Sequence, residues 1–258
     1  MIKRGLLKAG RIASNLLFPP KCMNCGELLE NDVFTSPVSP LCNKCRLLWE
    51  KEKTNFCEVC GLDVKLCRCM PKALERSGCG ALLKLVLYKA SGDMPINKFI
   101  YSLKHKYNKS SFEFIAEQMR FLLIPEMKAR SLLPSDCVIC YLPRSLKNKN
   151  KDGFDQSLEL ARALSRLTGI KIVRAFSRRL FVSEQKRLNS FERNLNMNSA
   201  FKLTPSSKLA SGKTVILVDD IVTTGSGMAA CSRLLYSVSA DETIGICVGY
   251  TKKEKNKS

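Results

Sequence analysis

No run of about 18 consecutive apolar residues occurs in this sequence, which excludes a helix that spans a bilayer. Histidine is nearly missing: the single one, His105, sits among lysines in SLKHKY and reads as a solvated surface residue rather than a base or a ligand. Aromatic residues make up 7% of the chain and form no obvious platform for stacking bases. Acids are scarce beside bases, with 23 Asp+Glu against 43 Lys+Arg and a formal charge of +20. That imbalance points to polyanionic partners or phosphorylated ligands and says nothing of fold. A secretory signal is lacking too, because Lys8, Arg11 and Asn15 interrupt the apolar stretch and no small-residue cleavage site follows. A retained helix is expected there instead. Ile2, Leu6, Ala9, Ala13, Leu16 and Leu17 recur at helical spacing opposite Lys3, Arg4, Lys8 and Arg11, and Pro19-Pro20 ends the segment. It would pack on its own protein, a membrane-surface helix being the alternative.

What is present in excess is cysteine, 13 residues in all. Without a signal peptide, clustered thiols point to a reducing compartment and to metal rather than disulfides. Eight of them fall as Cys22-x-x-Cys25, Cys42-x-x-Cys45, Cys57-x-x-Cys60 and Cys67-x-Cys69, which is two sets of four. Taken in chain order, Cys22, Cys25, Cys42 and Cys45 would hold one structural zinc ion, and Cys57, Cys60, Cys67 and Cys69 a second. A crossed pairing and an iron–sulfur cluster are the alternatives. Gly26 and Gly61, each following a pair, permit the tight turn of a metal knuckle. Cys137-x-x-Cys140 differs: within SDCVICYLP it reads as a buried strand whose two thiols face opposite ways. Cys79, Cys231 and Cys247 are isolated and expected in the core. Residues 1–75 carry 12 Lys+Arg against 8 Asp+Glu, leaving 31 against 15 for the remainder, so the positive field belongs to the second part.

From about Cys79 onward, apolar runs alternate with amphipathic stretches. ALLKLVLYKA, CVICYLP, IKIVRAF, TVILVDD and TIGICVGYT read as strands. INKFIYSLKHKY, SSFEFIAEQMRFLLIPEMKA, SLELARALSRLTG and GSGMAACSRLLYSVS read as helices. The alternation predicts an α/β fold with a parallel sheet and helices on both faces. Ligands bind beyond the carboxyl ends of such strands. VILVDDIVTTGSG stands at one of those ends: a buried run, two acids, then threonines and glycines turning into a helix. A helix start and glycine amides suit a phosphate. The paired acids would repel that phosphate and suit vicinal hydroxyls or magnesium, so a sugar phosphate satisfies both halves.

Val218-Asp219-Asp220-Ile221-Val222-Thr223-Thr224-Gly225 resembles the signature of type I phosphoribosyltransferases. LLFPPKCMNCG, the four cysteine pairs, YLPRSLKNKNKDGFDQSLELARAL and SEQKRLNSFERNLNMNSAF resemble, in order, the competence protein family ComF with its relative GntX. The resemblance implies a zinc-ribbon module over residues 1–75 and a phosphoribosyltransferase-like domain over 76–258. It implies that Asp219 and Asp220 hold ribose and would carry any catalysis, that Thr223, Thr224, Gly225, Ser226 and Gly227 hold the 5′-phosphate, and that Arg144, Lys147, Arg187 and Arg193 lie near pyrophosphate. The implied ligand is phosphoribosyl pyrophosphate with magnesium. The implied role is handling incoming single-stranded DNA on the cytoplasmic side, at the inner face of the membrane, with competence-machinery proteins as partners. A magnesium-dependent phosphoribosyltransferase acting on a nucleobase or other acceptor is the alternative, and a nucleotide-sensing adaptor a third reading. Three positions depart from the pattern. Gly227 stands where threonine is usual, Asp152-Gly153-Phe154-Asp155-Gln156 replaces Arg-Gly-Phe-Asn-Gln, and Tyr141-Leu142-Pro143 replaces Pro-Val-Pro. These departures predict weaker phosphate binding.

Overall fold

The computed structural model describes residues 19–29, 39–88, 95–179 and 200–251. The helix expected before Pro19 and the basic residues Arg187 and Arg193 lie outside them. Five parallel strands form the main sheet: β1 (Cys79–Leu87), β2 (Cys137–Tyr141), β3 (Lys171–Ile172), β6 (Thr214–Val222) and β7 (Glu242–Tyr250), in the order β1-β7-β6-β2-β3. A separate antiparallel pair is made by β4 (Phe176–Arg178) and β5 (Phe201–Leu203). The central strand is buried on both faces, with Val215 to Val218 each fully enclosed, which is why it reads as an unbroken apolar run. Pleating sends alternate side chains to two cores. Cys137, Ile139 and Tyr141 enter one, and Val138, Cys140 and Leu142 the other, so this CxxC pair is core, as its sequence context predicts.

The helices are α1 (Asn43–Glu52), α2 (Lys72–Glu75), α3 (Pro95–His105), α4 (Lys109–Ala129), α5 (Leu146–Asp152), α6 (Gln156–Thr168) and α7 (Ser226–Tyr236). On the first face α3 contributes Phe99 and Leu103, α4 Ile115 and Met119, and α6 Leu160 and Leu164. On the second, α7 contributes Met228, Cys231 and Leu235. Burying each such side chain stabilises by roughly 1.5–3 kcal/mol. Local chemistry sets the ends. Asp155 accepts from the Leu158 amide at 3.3 Å to start α6, and Gly169, at φ 73°, stops it.

Two expectations change. IKIVRAF is not one strand: β3 stops after two residues, the Ala175 amide turns back to the Val173 carbonyl at 3.0 Å, and the chain restarts as β4 against β5. Ile170 and Val173 before the break and Ala175 and Phe176 after it are all buried, so the break left no mark in the hydrophobic pattern. α5 has the opposite history. LKNKNKD has no apolar face, and the helix is defined by its ends, where Ser145 accepts from the Asn148 amide and Gly153 closes it at φ 78°.

The cysteine module lies along the β1 edge and reaches both faces of the sheet. Trp49 of α1 is buried edge-on against Phe99 and Phe114, with ring centroids 5.4 and 5.7 Å away. Lys53 donates to Gln118 of α4 at 2.9 Å. Arg68, between Cys67 and Cys69, pairs with buried Glu126, which Arg130 also holds at 2.8 Å while reaching on to Glu242 of β7. Lys84 in the middle of β1 is only 1% exposed; its ammonium donates to Cys67 Sγ at 3.2 Å and to the Cys69 carbonyl. The module thereby covers an edge strand that would otherwise present open backbone.

Candidate functional site

The carboxyl end of β6 is where the two layers part. β2 ends its pairing at Tyr141 opposite Val218, whereas β7 runs on beside Asp219, Ile221 and Val222. The chain leaving β2 goes to α6 on the first face, and the chain leaving β6 goes to α7 on the second. Connections that diverge from adjacent strands open a crevice, the usual ligand position in such sheets. Asp219 and Asp220 emerge there, half-buried. Ser157 of α6 donates to Asp219 Oδ1 at 3.1 Å, and the Asp220 amide donates to the same oxygen at 2.9 Å. Burial, and then the neighbouring Asp220 carboxylate, pushes the Asp219 carboxyl well above the ordinary aspartate range. Lys104 of α3 stands 4.0 Å from Asp220 Oδ2. A cation or a set of hydroxyl donors placed at this pair would offset the repulsion between the two acids.

Beyond Val222, Thr223 and Thr224 are exposed, and Gly225 turns the chain at φ 70° into α7. Gly225 caps the helix without a side-chain hydrogen bond, an arrangement in which first-turn amides take an anion. Thr224 and Ser226 hydroxyls are 2.8 Å apart and point into the same turn. A side chain at Gly225 would meet Pro71 Cγ at 3.1 Å, so the loop is backed by the segment that follows the last cysteine.

The structure therefore gathers Asp219, Asp220, Thr223, Thr224, Gly225, Ser226 and Gly227 in one turn. Arg144 is nearby, its backbone amide donating at 3.1 Å to Asp155, which caps α6 just before Ser157. Its guanidinium is directed elsewhere, to Asp152 at 2.7 Å. Lys147 is exposed on α5. Asp152 and Asp155 look in the sequence like losses of a cation and an amide; in the fold Asp155 is a cap and Asp152 fastens α5. His105 is exposed as expected, yet its Nδ1 lies 3.0 Å from Asp152 Oδ1. Ser157 and Lys104 are site neighbours that no local sequence signal marked.

Both cysteine sets form in chain order, and in each the four sulfurs lie within 4.8 Å of one another. The crossed pairing is thereby excluded. A tetrahedral zinc site with sulfur at about 2.3 Å has sulfurs roughly 3.8 Å apart, and Cys25 and Cys42 Sγ are separated by 3.7 Å. The two knuckles repeat one another. Gly26 N bonds Cys22 O at 2.9 Å and Gly61 N bonds Cys57 O at 2.7 Å, with both glycines at positive φ. Burial works against ionising Cys22 and Cys57, but amides aimed at each sulfur outweigh it and lower the thiols to about 7 and about 6. Both clusters can hold zinc.

Comparison with known proteins agrees with this architecture. Residues 155–258 match the model of the phosphoribosyl transferase domain. Two relatives, each called DNA utilization protein YhgH, from Escherichia coli (strain K12) and Shigella flexneri, are each 28% identical over 214 residues, covering 77% of this chain and 91% of the relative. The fold is α/β: a parallel-sheet phosphoribosyltransferase domain preceded by a small region whose cysteine clusters fit zinc ribbons. Among the described residues, no helix is long and apolar enough to cross a membrane.

Proposed function

We propose that the chain is a ComF-like protein that binds phosphoribosyl pyrophosphate with magnesium and handles incoming single-stranded DNA on the cytoplasmic side during transformation. The observation that carries the ligand is the carboxylate pair Asp219–Asp220 in the crevice beside an open-capped α7. In this reading the acids take ribose hydroxyls or the magnesium ion, and Thr223 to Gly227 take the 5′-phosphate. Arg144 and Lys147 take the pyrophosphate, which requires Arg144 to leave Asp152, and the family resemblance assigns Arg187 and Arg193, outside the described residues, to the same group. Two structural zinc ions fill the cysteine clusters, and the boundary between module and ligand domain falls at residues 75 and 76. The DNA part is supported by the DNA utilization named for the relatives and by the +20 charge. Competence-machinery proteins are the partners it implies.

Phosphoribosyl transfer to a nucleobase or another acceptor is a second reading, favoured by the domain match over residues 155–258. Catalysis would then come from orienting the ribose and stabilising the departing pyrophosphate. Calorimetry with phosphoribosyl pyrophosphate and magnesium tests the common part. Heat is expected in the wild type and none in Asp219→Asn with Asp220→Asn; a silent wild type overturns both readings. Pyrophosphate release on adding candidate acceptors separates the second reading from the first.

A further inference from the structure

Two exposed tyrosines stand near the carboxyl end of α5. Tyr101, 59% exposed, stacks on the His105 ring with centroids 4.4 Å apart, and His105 Nδ1 meets Asp152, the last residue of α5. Tyr107, 58% exposed, is held edge-on by Phe154, two residues past α5, at 5.6 Å. Lys106, between the two tyrosines in sequence, and Lys149 and Lys151 of α5 are all exposed. The span from Pro95 to Tyr107 contains no acid, and the one acid of α5, Asp152, is neutralised by Arg144 and His105. Large exposed rings in a cationic field are out of place on a surface that meets only water.

We propose that α3 and α5 together form a face for single-stranded DNA, on which Tyr101 and Tyr107 stack with bases while Lys106, Lys149 and Lys151 hold phosphates. It rests on the DNA-handling reading and names the surface that reading requires. The cations alone would suit any polyanion. The rings select one whose aromatic faces are open, which a duplex conceals within its base stack. Both rings are held by aromatic neighbours, Tyr101 by His105 and Tyr107 by Phe154 and Phe112, so little ordering remains to be done when a base arrives. The 7% aromatic content conceals this arrangement, because two rings suffice when the fold brings them to the end of a lysine-rich helix. The face borders the ligand crevice through Lys104, which neighbours Asp220.

Fluorescence anisotropy of the full chain with labelled oligothymidylate, over a salt series, tests the face. Tyr101→Ala and Tyr107→Ala are each expected to weaken binding by roughly tenfold, and Tyr101→Phe to stay within about twofold of wild type. Joint Lys106→Gln, Lys149→Gln and Lys151→Gln should reduce the slope of log affinity against log salt by about 2. Tyr107 touches the core, so circular dichroism accompanies its variant, and Tyr101, whose ring contact is with exposed His105, carries the decision. Wild-type affinity in Tyr101→Ala, or equal affinity for the matching duplex, overturns the face while leaving DNA handling standing. A wild type that binds no oligonucleotide removes DNA handling and the face together. Calorimetric heat with phosphoribosyl pyrophosphate should persist in every variant of this set.

Discussion

Asp219 is held in its ligand-free fold at an energetic disadvantage. Its carboxyl is raised by burial and by Asp220, so ionising it costs more in the folded than in the unfolded chain and works against folding. Asp219→Asn keeps an acceptor for Ser157 and for the Asp220 amide. It should therefore raise the melting temperature of the ligand-free protein at pH 7, by roughly 2–4 °C for each kcal/mol relieved, while abolishing ligand heat. The gain should shrink as the pH is lowered toward acid, where the wild-type carboxyl is already neutral; calorimetric melting at several pH values reads this. Gly225 makes the converse case. With φ at 70° and Pro71 Cγ 3.1 Å from where a Cβ would stand, Gly225→Ala should cost about 1–2 kcal/mol and displace the phosphate loop. Urea unfolding and ligand titration would show both effects. These positions were legible in the sequence because strand, acids and turn are contiguous. Ser157 and Lys84 were not, since the groups they meet lie 62 and 17 residues away, and only folding supplies them.

At the scale of elements, α5 depends on Asp152. Burial opposes the charge of Asp152, but Arg144 and His105 outweigh it and hold the carboxyl below its ordinary 3.8. A depressed carboxyl contributes stability that is complete above the ordinary value and disappears as pH falls through the lowered one. Asp152→Asn should therefore loosen α5 at neutral pH, and the difference from wild type should shrink as acid protonates the wild-type carboxyl; amide exchange across 146–152 measures it. The helix was missing from the sequence reading for the same reason that it needs this fastening: LKNKNKD has nothing apolar to bury. β4 was missed for the opposite reason, since its apolar residues continue those of β3 without a turn signal. Segments with strong periodicity, among them α4, α6, α7 and β7, were readable because burial decides their pattern.

For the whole molecule, the cysteine module is joined to the sheet by packing as well as by chain. Cys22, Cys45 and Trp49 belong to the same buried cluster as α3 and α4, so a metal ion at the first set would hold α1 in place. The chain has a single tryptophan, which makes the consequence measurable. Stripping zinc with a chelator should release α1 and shift Trp49 emission to the red, and the shift should reverse on adding zinc back. Emission unchanged by complete metal removal would mean that the module folds without it. The metal sets were legible because ligand spacing is written in the chain. Their seat against β1 was not, because Lys84 looks in sequence like an interruption of a strand.

With zinc at the second set, Lys84 would also tie the protein's lifetime in the cell to metal supply. A buried ammonium is tolerated where a four-thiolate zinc centre, with its net negative charge, stands beside it. A chain made under zinc starvation would keep the lysine and lose the countercharge, since burial raises the Cys67 thiol. Its edge strand would then open more often, and cellular proteases act on such openings. Steady-state abundance should thus fall with zinc at constant synthesis, and Lys84→Met should flatten that dependence.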